Sequence, residues 1–238
     1  MNKTNLSLIL LSRNEEKIIR SNILETVSYL RSLDFLNEYE ILICDKSEDK
    51  TPQIVSELAN SLSQVKLISV NQLGIGAAIK TGIDNAKYPI VCSNGIEIPT
   101  GFDFIGNSIK KILEGYDIII SARGQEGFID NRPLKRKFFS KCYNILVNMV
   151  FNLKISDTQS AITFRLDEIK KFRNRLVDNG PFLQTEILIY ARKRSLRLFE
   201  MPTNFNDIRK DSKIKIGSFS TSMFKKIMQK RISLLKER

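Results

Sequence analysis

Apolar positions in the first 120 residues fall into short, mostly apolar runs separated by stretches of helical spacing. Leu6–Leu11, Tyr39–Cys44, Val65–Val70, Tyr88–Cys92 and Tyr116–Ile120 are runs of strand length. Between them, Asn14–Leu33 carries Ile18, Ile19, Ile23, Leu24 and Val27 on one side, and Thr51–Leu62 carries Ile54, Val55, Leu58 and Leu62 on one face. Gly74–Asn85 reads as a glycine-started, alanine-rich helix, and Phe102–Leu113 as another helix. Strands alternating with helices of this length indicate crossover connections and parallel pairing. Strands with apolar residues on both faces agree, because a parallel sheet is covered on both faces. The pattern predicts an α/β fold, a three-layer α/β/α sandwich around a mostly parallel sheet.

The second half has a different texture. Gln125–Pro133 is polar and reads as a loop, and Leu134–Leu153 as a long helix, basic at its start and apolar later. Asp157–Arg165 reads as a loop entering a short strand, Asp167–Val177 as a basic helix, Phe182–Arg194 as a helix, and Leu196–Met201 as a strand ending at Pro202. From Ser218 onward Met223, Phe224, Ile227, Met228, Arg231 and Leu235 share one helical side, with Lys225, Lys226 and Lys230 beside it. These features divide the chain into a main domain, 1–215, and a basic amphipathic tail, 216–238.

Charge sharpens this division. The 238 residues carry a formal net charge of +12. Residues 1–130 hold 13 Lys and Arg against 17 Asp and Glu, a net of −4, whereas 131–238 hold 25 against 9, a net of +16. Residues 207–238 alone contain Arg209, Lys210, Lys213, Lys215, Lys225, Lys226, Lys230, Arg231, Lys236 and Arg238, against Asp207, Asp211 and Glu237. A basic half meets anions: nucleic acid, phosphorylated ligands or a membrane surface. No nucleic-acid module is recognisable, and the aromatic residues lie mostly in apolar runs, which argues against nucleic acid as partner. The chain has no His, so His-centred relays and His-ligated metal sites are excluded. Cys44, Cys92 and Cys142 show no metal or disulfide spacing, and the first two sit in strand-like runs as buried thiols. The N-terminal apolar run is too short for a signal peptide, and no stretch reaches the roughly 18–20 apolar residues of a membrane span. The expectation is a cytoplasmic protein that is at most peripheral to the inner face of a membrane.

In an open parallel sheet, ligands bind beyond the carboxyl ends of the strands. The segments following the five runs are Ser12-Arg13-Asn14-Glu15, Asp45 to Thr51, Asn71 to Gly76, Ser93 to Pro99, and Ser121-Ala122-Arg123. All are polar, small or charged, which suits a polar, nucleotide-like ligand. Taken singly, each is also an ordinary helix start, with Ser47 or Asp49 as a cap. Gly74-Ile75-Gly76 lacks the third glycine of a dinucleotide fingerprint and is equally a tight turn into a close-packed helix through Ala77 and Ala78.

Taken together and in order, these segments resemble glycosyltransferase family 2. The nearest likeness is to its dolichyl-phosphate mannose synthase and polyprenyl-phosphate glycosyltransferase branch. Leu11 to Glu15 answers the family's P-x-Y-N-E, and Cys44 to Thr51 answers D-D-x-S-x-D-x-T. Asn71 to Gly82, with Gly74, Gly76, Ala78 and Gly82 in register, answers N-x-G-x-G-x-A-x-x-x-G. Ser121-Ala122-Arg123 answers G-S-R, and Asp157 to Ile162 answers D-x-x-x-G-F. Glu200-Met201-Pro202 and Ser212-Lys213-Ile214 close the series, so the likeness covers about residues 5–215.

The resemblance implies a glycosyltransferase A-type (nucleotide-diphospho-sugar transferase) fold. It also implies a nucleoside-diphosphate sugar as donor and a polyprenyl phosphate, dolichyl phosphate or related phosphate-bearing lipid as acceptor. It assigns Ser12, Asn14, Glu15, Asp45, Gly74 and Asn94 to the nucleotide, and Arg123 and Arg136 to the phosphates. Asp157 becomes the base if the acceptor is an alcohol. The sequence departs from the family at D-A-D, where Ser93, Asn94 and Gly95 stand in place of the carboxylates that hold Mg2+ or Mn2+. Glu97, with the Asn94 carbonyl oxygen, is then the remaining candidate for a weakly held divalent cation. Ala161-Ile162 replaces Gly-Phe, Thr163 stands where a basic residue is expected, and Gln184 replaces an Asp before Glu186. Two readings stay open: an active transferase that uses little or no metal, and a degenerate relative that binds nucleotide or lipid phosphate without turnover. An anionic membrane surface is the further expected partner, through the basic start of the long helix and through the tail.

Overall fold

A computed structural model describes residues 3–206 and 216–236, with side chains from 223 onward in the second segment. Arg209, Lys210, Lys213, Lys215 and Arg238, the acidic Asp207, Asp211 and Glu237, and the Ser212-Lys213-Ile214 motif lie outside the described residues, as does the chain just before the 215/216 boundary.

Seven strands form one sheet: β1 (Thr4–Ser12), β2 (Leu36–Asp45), β3 (Val65–Ser69), β4 (Ile90–Gly95), β5 (Ile118–Ala122), β6 (Ile162–Arg165) and β7 (Leu198–Pro202). Their spatial order is β3-β2-β1-β4-β6-β5-β7. Every pairing is parallel except those of β6, which runs antiparallel to both β4 and β5. The helices are α1 (Ile19–Arg31), α2 (Thr51–Ser61), α3 (Ile75–Asn85), α4 (Phe102–Leu113), α5 (Leu134–Phe151), α6 (Leu166–Lys170), α7 (Phe182–Lys193) and α8 (Ile216–Lys236).

The central strands explain the layering. Leu6, Leu8 and Leu10 of β1 and Ile41 and Ile43 of β2 join one core cluster with α1, α2 and α4. Ile9, Leu42 and Cys44, one residue out of phase, join the other with α3, α5, α6, α7 and α8. Side chains alternate across a strand, so a strand with buried apolar residues in both phases must be covered twice. Burial pushes the Cys44 and Cys92 thiols up to about 12, leaving them inert packing groups.

The expected helices and strands are present, with corrections at their ends. Asn14 to Ile18 is not helix: Asn14 has φ 56°, and α1 begins at Ile19. The basic helix expected over 167–177 stops after Lys170 and gives way to a short 3-10 turn, Arg173–Arg175. β4 runs on through Ser93 and Asn94, which are buried. The order reverses at β1, so the carboxyl ends of β1 and β4 border the crevice where such sheets take their ligands.

The tail folds back onto the domain. Met223, Ile227 and Leu234 of α8 are buried in the same cluster as α5 and α7. Lys230, expected beside a lipid-facing stripe, instead points inward to Glu186 of α7, Nζ to Oε1 2.7 Å, with side-chain exposures of 7% and 1%. Glu186 also accepts from the backbone N–H groups of Val177 and Asp178, each at 2.9 Å. It thereby fixes the 177–180 turn, on which α3 begins: a Cβ on Gly74 (φ 134°) would lie 2.0 Å from the Asn179 carbonyl oxygen, and one on Gly76 2.5 Å from that of Gly180. The close approach made by this Gly-x-Gly thus belongs to the glycines rather than to Ala77 and Ala78. Removing one member of a buried ion pair strands the other charge and costs about 3–5 kcal/mol. Lys230→Met is therefore expected to lower the unfolding free energy by about that amount in denaturant titration. The double variant Lys230→Met/Glu186→Gln should recover part of the loss, because a glutamine oxygen still accepts from the turn.

Candidate functional site

The loops after β1 and β2 are laced into one rim. Asn14 donates its backbone N–H to Ser47 Oγ and accepts from Glu48 N on its side chain, at 2.7 and 2.9 Å. Glu15 N donates to Thr51 Oγ1 at 2.9 Å. Asp45, buried at the end of β2, accepts from the backbone N–H and hydroxyl of Ser47 at 2.9 and 2.6 Å. Asp45 and Asn14 therefore build the rim, while Ser12 and Glu15 face the cleft it borders. Ser12 Oγ is buried at the cleft and has no hydrogen-bond partner among the described residues.

That cleft has a volume of about 710 Å³. The strand-end loops line it with polar groups, Ser12, Glu15, Lys46, Asn94 and Glu97, and Arg123, Arg132 and Arg136 line it too. Phe139, Tyr143 and Leu146 of α5 and Met223, Phe224 and Ile227 of α8 add apolar lining. Gly74 is a further lining residue, its conformation dictated by the 179 carbonyl behind it.

Arg123 and Asp157 form the central pair. Arg123 Nε and Nη2 reach the two carboxylate oxygens at 2.5 and 2.8 Å, and Nη2 also donates to the Gln159 carbonyl at 2.8 Å. Side-chain exposures are 10% and 4%. Burial raises the Asp157 pKa, but the adjacent Arg123 charge and its hydrogen bonds outweigh that and hold it below the usual carboxylate range. Glu200 braces the same turn, accepting from Ser156 N and Oγ at 2.6 and 2.7 Å and from Asp157 N at 3.3 Å. Asp157, expected as a base for an alcohol acceptor, has both oxygens on Arg123 and stands behind the cleft wall. A depressed, fully engaged carboxylate is a poor proton acceptor, so the geometry makes it the anchor of Arg123.

Sequence reasoning missed a second pair built the same way. Asp130 receives Arg132 Nε at 2.9 and 3.2 Å and Nη2 at 2.8 Å, again with side-chain exposures of 10% and 4%. The Phe205 ring lies against both guanidinium groups, 4.9 Å from Arg123 Cζ and 5.5 Å from Arg132 Cζ. Phe205 is held by pairing with the 129–131 segment. The available signal was Asp-x-Arg at i, i+2 in an otherwise polar loop, and an aromatic residue just past Pro202.

The place of the missing carboxylates does not fit a tightly held cation. Asn94 Nδ2 donates to Thr100 Oγ1 at 2.7 Å, and its Oδ1 accepts from Gly95 N at 2.9 Å, so the amide oxygen is engaged within its own loop. Glu97 lies in the turn beyond, beside Ile98 at φ 46°. Among the described residues, no three Asp, Glu or Cys side chains gather as a metal site.

Comparison with known proteins decides the lineage. The model of glycosyl transferase family 2 matches residues 7–172. The chain belongs to glycosyltransferase family 2. Dolichyl-phosphate beta-glucosyltransferase ALG5A of Trichomonas vaginalis is 31% identical over 225 residues, covering 89% of this chain and 68% of that protein. Glycosyltransferase AglD of Haloferax volcanii is 25% identical over 203 residues, covering 84% of this chain. The chain spans about a third of AglD, 32% of its length. Among solved structures, glucosyl-3-phosphoglycerate synthase of Mycobacterium tuberculosis, in complex with Mn2+, UDP and phosphoglyceric acid, superposes with a TM-score of 0.70 at 16% identity. It covers 96% of this chain and 78% of that one, and confirms the glycosyltransferase A-type fold. Family membership accounts for the motif order, and the A-type fold for the sheet built around it.

The Arg123–Asp157 pair generates a pH prediction. A carboxylate whose folded pKa is depressed contributes stability that is present above its unfolded value, about 3.9, and lost as pH falls through the folded value. Asp157→Asn should cost about 3 kcal/mol or more near neutral pH by stranding Arg123. The variant should also lose less stability than the parent between pH 4 and pH 2, as read by urea titration at each pH.

Proposed function

We propose that this chain transfers a sugar, glucose in the first instance, from a nucleoside diphosphate to a polyprenyl phosphate of the dolichyl type. The observation that carries this reading is the composition of the cleft described above. Polar groups of the strand-end loops, three guanidinium groups and apolar side chains of α5 and α8 line it together. A donor with charged diphosphate and an acceptor with a phosphate on a hydrocarbon chain match that combination of surfaces. The names of the glucosyltransferase relatives support the sugar and the acceptor class, and the UDP held by the fold neighbour supports uridine as the nucleoside to try.

The chemistry needs few groups. An acceptor phosphate oxygen attacks the anomeric carbon, forming a new C–O bond. The bond from that carbon to the donor's diphosphate oxygen breaks, and its electron pair leaves with the nucleoside diphosphate. One displacement inverts the anomeric centre. The nucleophile is already an anion at neutral pH, so no base is required, in keeping with an absent histidine and an Asp157 committed to Arg123. Charge gathering on the leaving diphosphate is met by Arg123, held in place by Asp157, and by Arg136, both of which line the cleft. Ser12 and Glu15 face the nucleoside, with Asp45 and Asn14 holding their loop.

The proposed acceptor is a membrane lipid, which supports a position at a membrane face. No helix among the described residues is long and apolar enough to cross a membrane. Leu134, Phe138, Ile145 and Met149 form an exposed stripe along α5, and Phe224, Met228, Ile232 and Leu235 form another along α8. Exposed Lys135, Lys141, Lys225 and Arg231 flank them. Apolar stripes edged by cations suit an anionic lipid surface, each charge adding about 1 kcal/mol near such a surface.

Two measurements test the reading. Labelled UDP-glucose, with other nucleoside-diphosphate sugars in parallel, is incubated with polyprenyl phosphate in detergent. Organic-phase label that falls at least about 100-fold in Arg123→Met is expected. No transfer from any donor by a folded protein that still binds nucleotide would favour a non-catalytic binder, the reading to which Ser93-Asn94-Gly95 lends weight. Separately, Phe138→Glu/Met149→Glu should lose most co-sedimentation with phosphatidylglycerol vesicles while keeping the parent's melting transition, since both side chains are exposed.

A further inference from the structure

The family's usual cation site and this chain's residues disagree, and the disagreement has a structural counterpart. Where carboxylates would hold a metal on the diphosphate, β4 ends in Ser93, Asn94 and Gly95. The Asn94 amide oxygen is engaged with the next residue's N–H. Directly alongside, Asn206 N donates to the Pro99 carbonyl at 2.7 Å, tying the segment that carries Phe205 to the 95–99 turn. Phe205 in turn carries two guanidinium groups on its ring. The structure therefore brings arginines to the neighbourhood that lost its carboxylates.

We infer that Arg123, Arg132 and Arg136 hold the donor's diphosphate without a divalent cation, with Arg132, on its Asp130 and Phe205 support, supplying the contact that replaces the metal. This rests on the glycosyl-transfer reading above and specifies how its donor is bound. The geometry is suited to the task. Arg132 is fixed through Nε and Nη2 by Asp130, and Arg123 through the same two nitrogens by Asp157. Among the described residues, Arg132 keeps Nη1 and the second Nη2 N–H without a hydrogen bond, a paired edge, whereas Arg123, whose Nη2 also serves the Gln159 carbonyl, keeps Nη1 alone; both residues line the cleft. A guanidinium locked on one edge and open on the other, as that of Arg132 is, loses little freedom when a phosphate arrives. Paired N–H donors match phosphate oxygens in a way that a single cation-binding carboxylate does not reproduce. The ring beneath both cations keeps them apart at fixed spacing and excludes water from one face. Arg132 thus touches the leaving group, and Asp130 acts through it as a positioning residue.

The test is calorimetric titration of the full chain with UDP, GDP and UMP, each in EDTA and again in MnCl2. The expected result is a nucleoside diphosphate whose Kd in EDTA is within about threefold of its Kd in Mn2+. Arg132→Met should weaken that ligand at least about tenfold in both buffers while leaving the monophosphate within about twofold, because the lost contact is to the second phosphate. Asp130→Asn should weaken it less, and Arg132→Lys should not restore it, since an ammonium lacks the fork. A diphosphate bound more than about 30-fold tighter with Mn2+ than with EDTA would overturn the inference and leave the donor reading intact. So would an Arg132→Met that folds and binds like the parent. Absence of binding by every nucleotide in both buffers would instead remove the donor reading itself, and the inference with it. If Arg132→Met does not fold, the EDTA and Mn2+ comparison on the parent chain decides alone.

Discussion

A guanidinium and a carboxylate, both almost out of reach of water, sit between the end of β5 and the turn that leads into β6. Neither could be buried alone: an unpaired ion in that place costs several kcal/mol. Their mutual satisfaction fixes the rest of this side of the cleft. Gln159 is drawn in through its carbonyl, Glu200 closes the turn from β7, and Phe205 gains a flat cation to lie against. The cleft wall is therefore a set of charges each held by a partner behind it, rather than a patch of loose basic side chains. This arrangement explains how a chain so rich in Lys and Arg can have an ordered site.

The layering was readable in the sequence because it depends on local signals. Runs such as Leu6–Leu11 are apolar at both parities, which only a doubly covered strand requires, and the intervening helices show their inner faces plainly. The antiparallel course of β6 was not readable. Four residues carry no directional signal, and direction is decided by what the neighbouring strands leave unpaired. The helix expected over 167–177 failed for a related reason. Its basic spacing resembled a helical face, but Ile169, Phe172 and Leu176 must all reach one core, and a helix followed by a tighter turn accomplishes that.

The site was half readable. Family likeness marked Ser12, Glu15 and Arg123, all of which face the cleft. It could not separate groups that touch a ligand from those that hold them: Asn14, Asp45 and Asp157 spend their hydrogen bonds on neighbouring loops. Arg132 and Phe205 were invisible because their meaning lies in a contact across 73 positions of sequence. Lys230 looked like one more solvated charge in a basic tail. Only the buried Glu186 across from it, itself recruited by two backbone N–H groups, gives that lysine an inward direction.

The reversed strand β6 has a consequence for how this fold can change over time. Because it runs against its neighbours, its first residue, not its last, lies at the ligand-facing edge, and the turn that precedes it supplies the anchor for Arg123. That turn is bounded on one side by the Asp157 contact and on the other by Thr163, whose hydroxyl meets Ser108 of α4 at 2.7 Å. A single inserted or deleted residue between them would swap the inward and outward faces of the strand or pull the carboxylate off its arginine. Loop-length variation, the usual raw material for new specificities on a shared scaffold, is therefore closed to this turn. Divergence there must proceed by substitution at constant length.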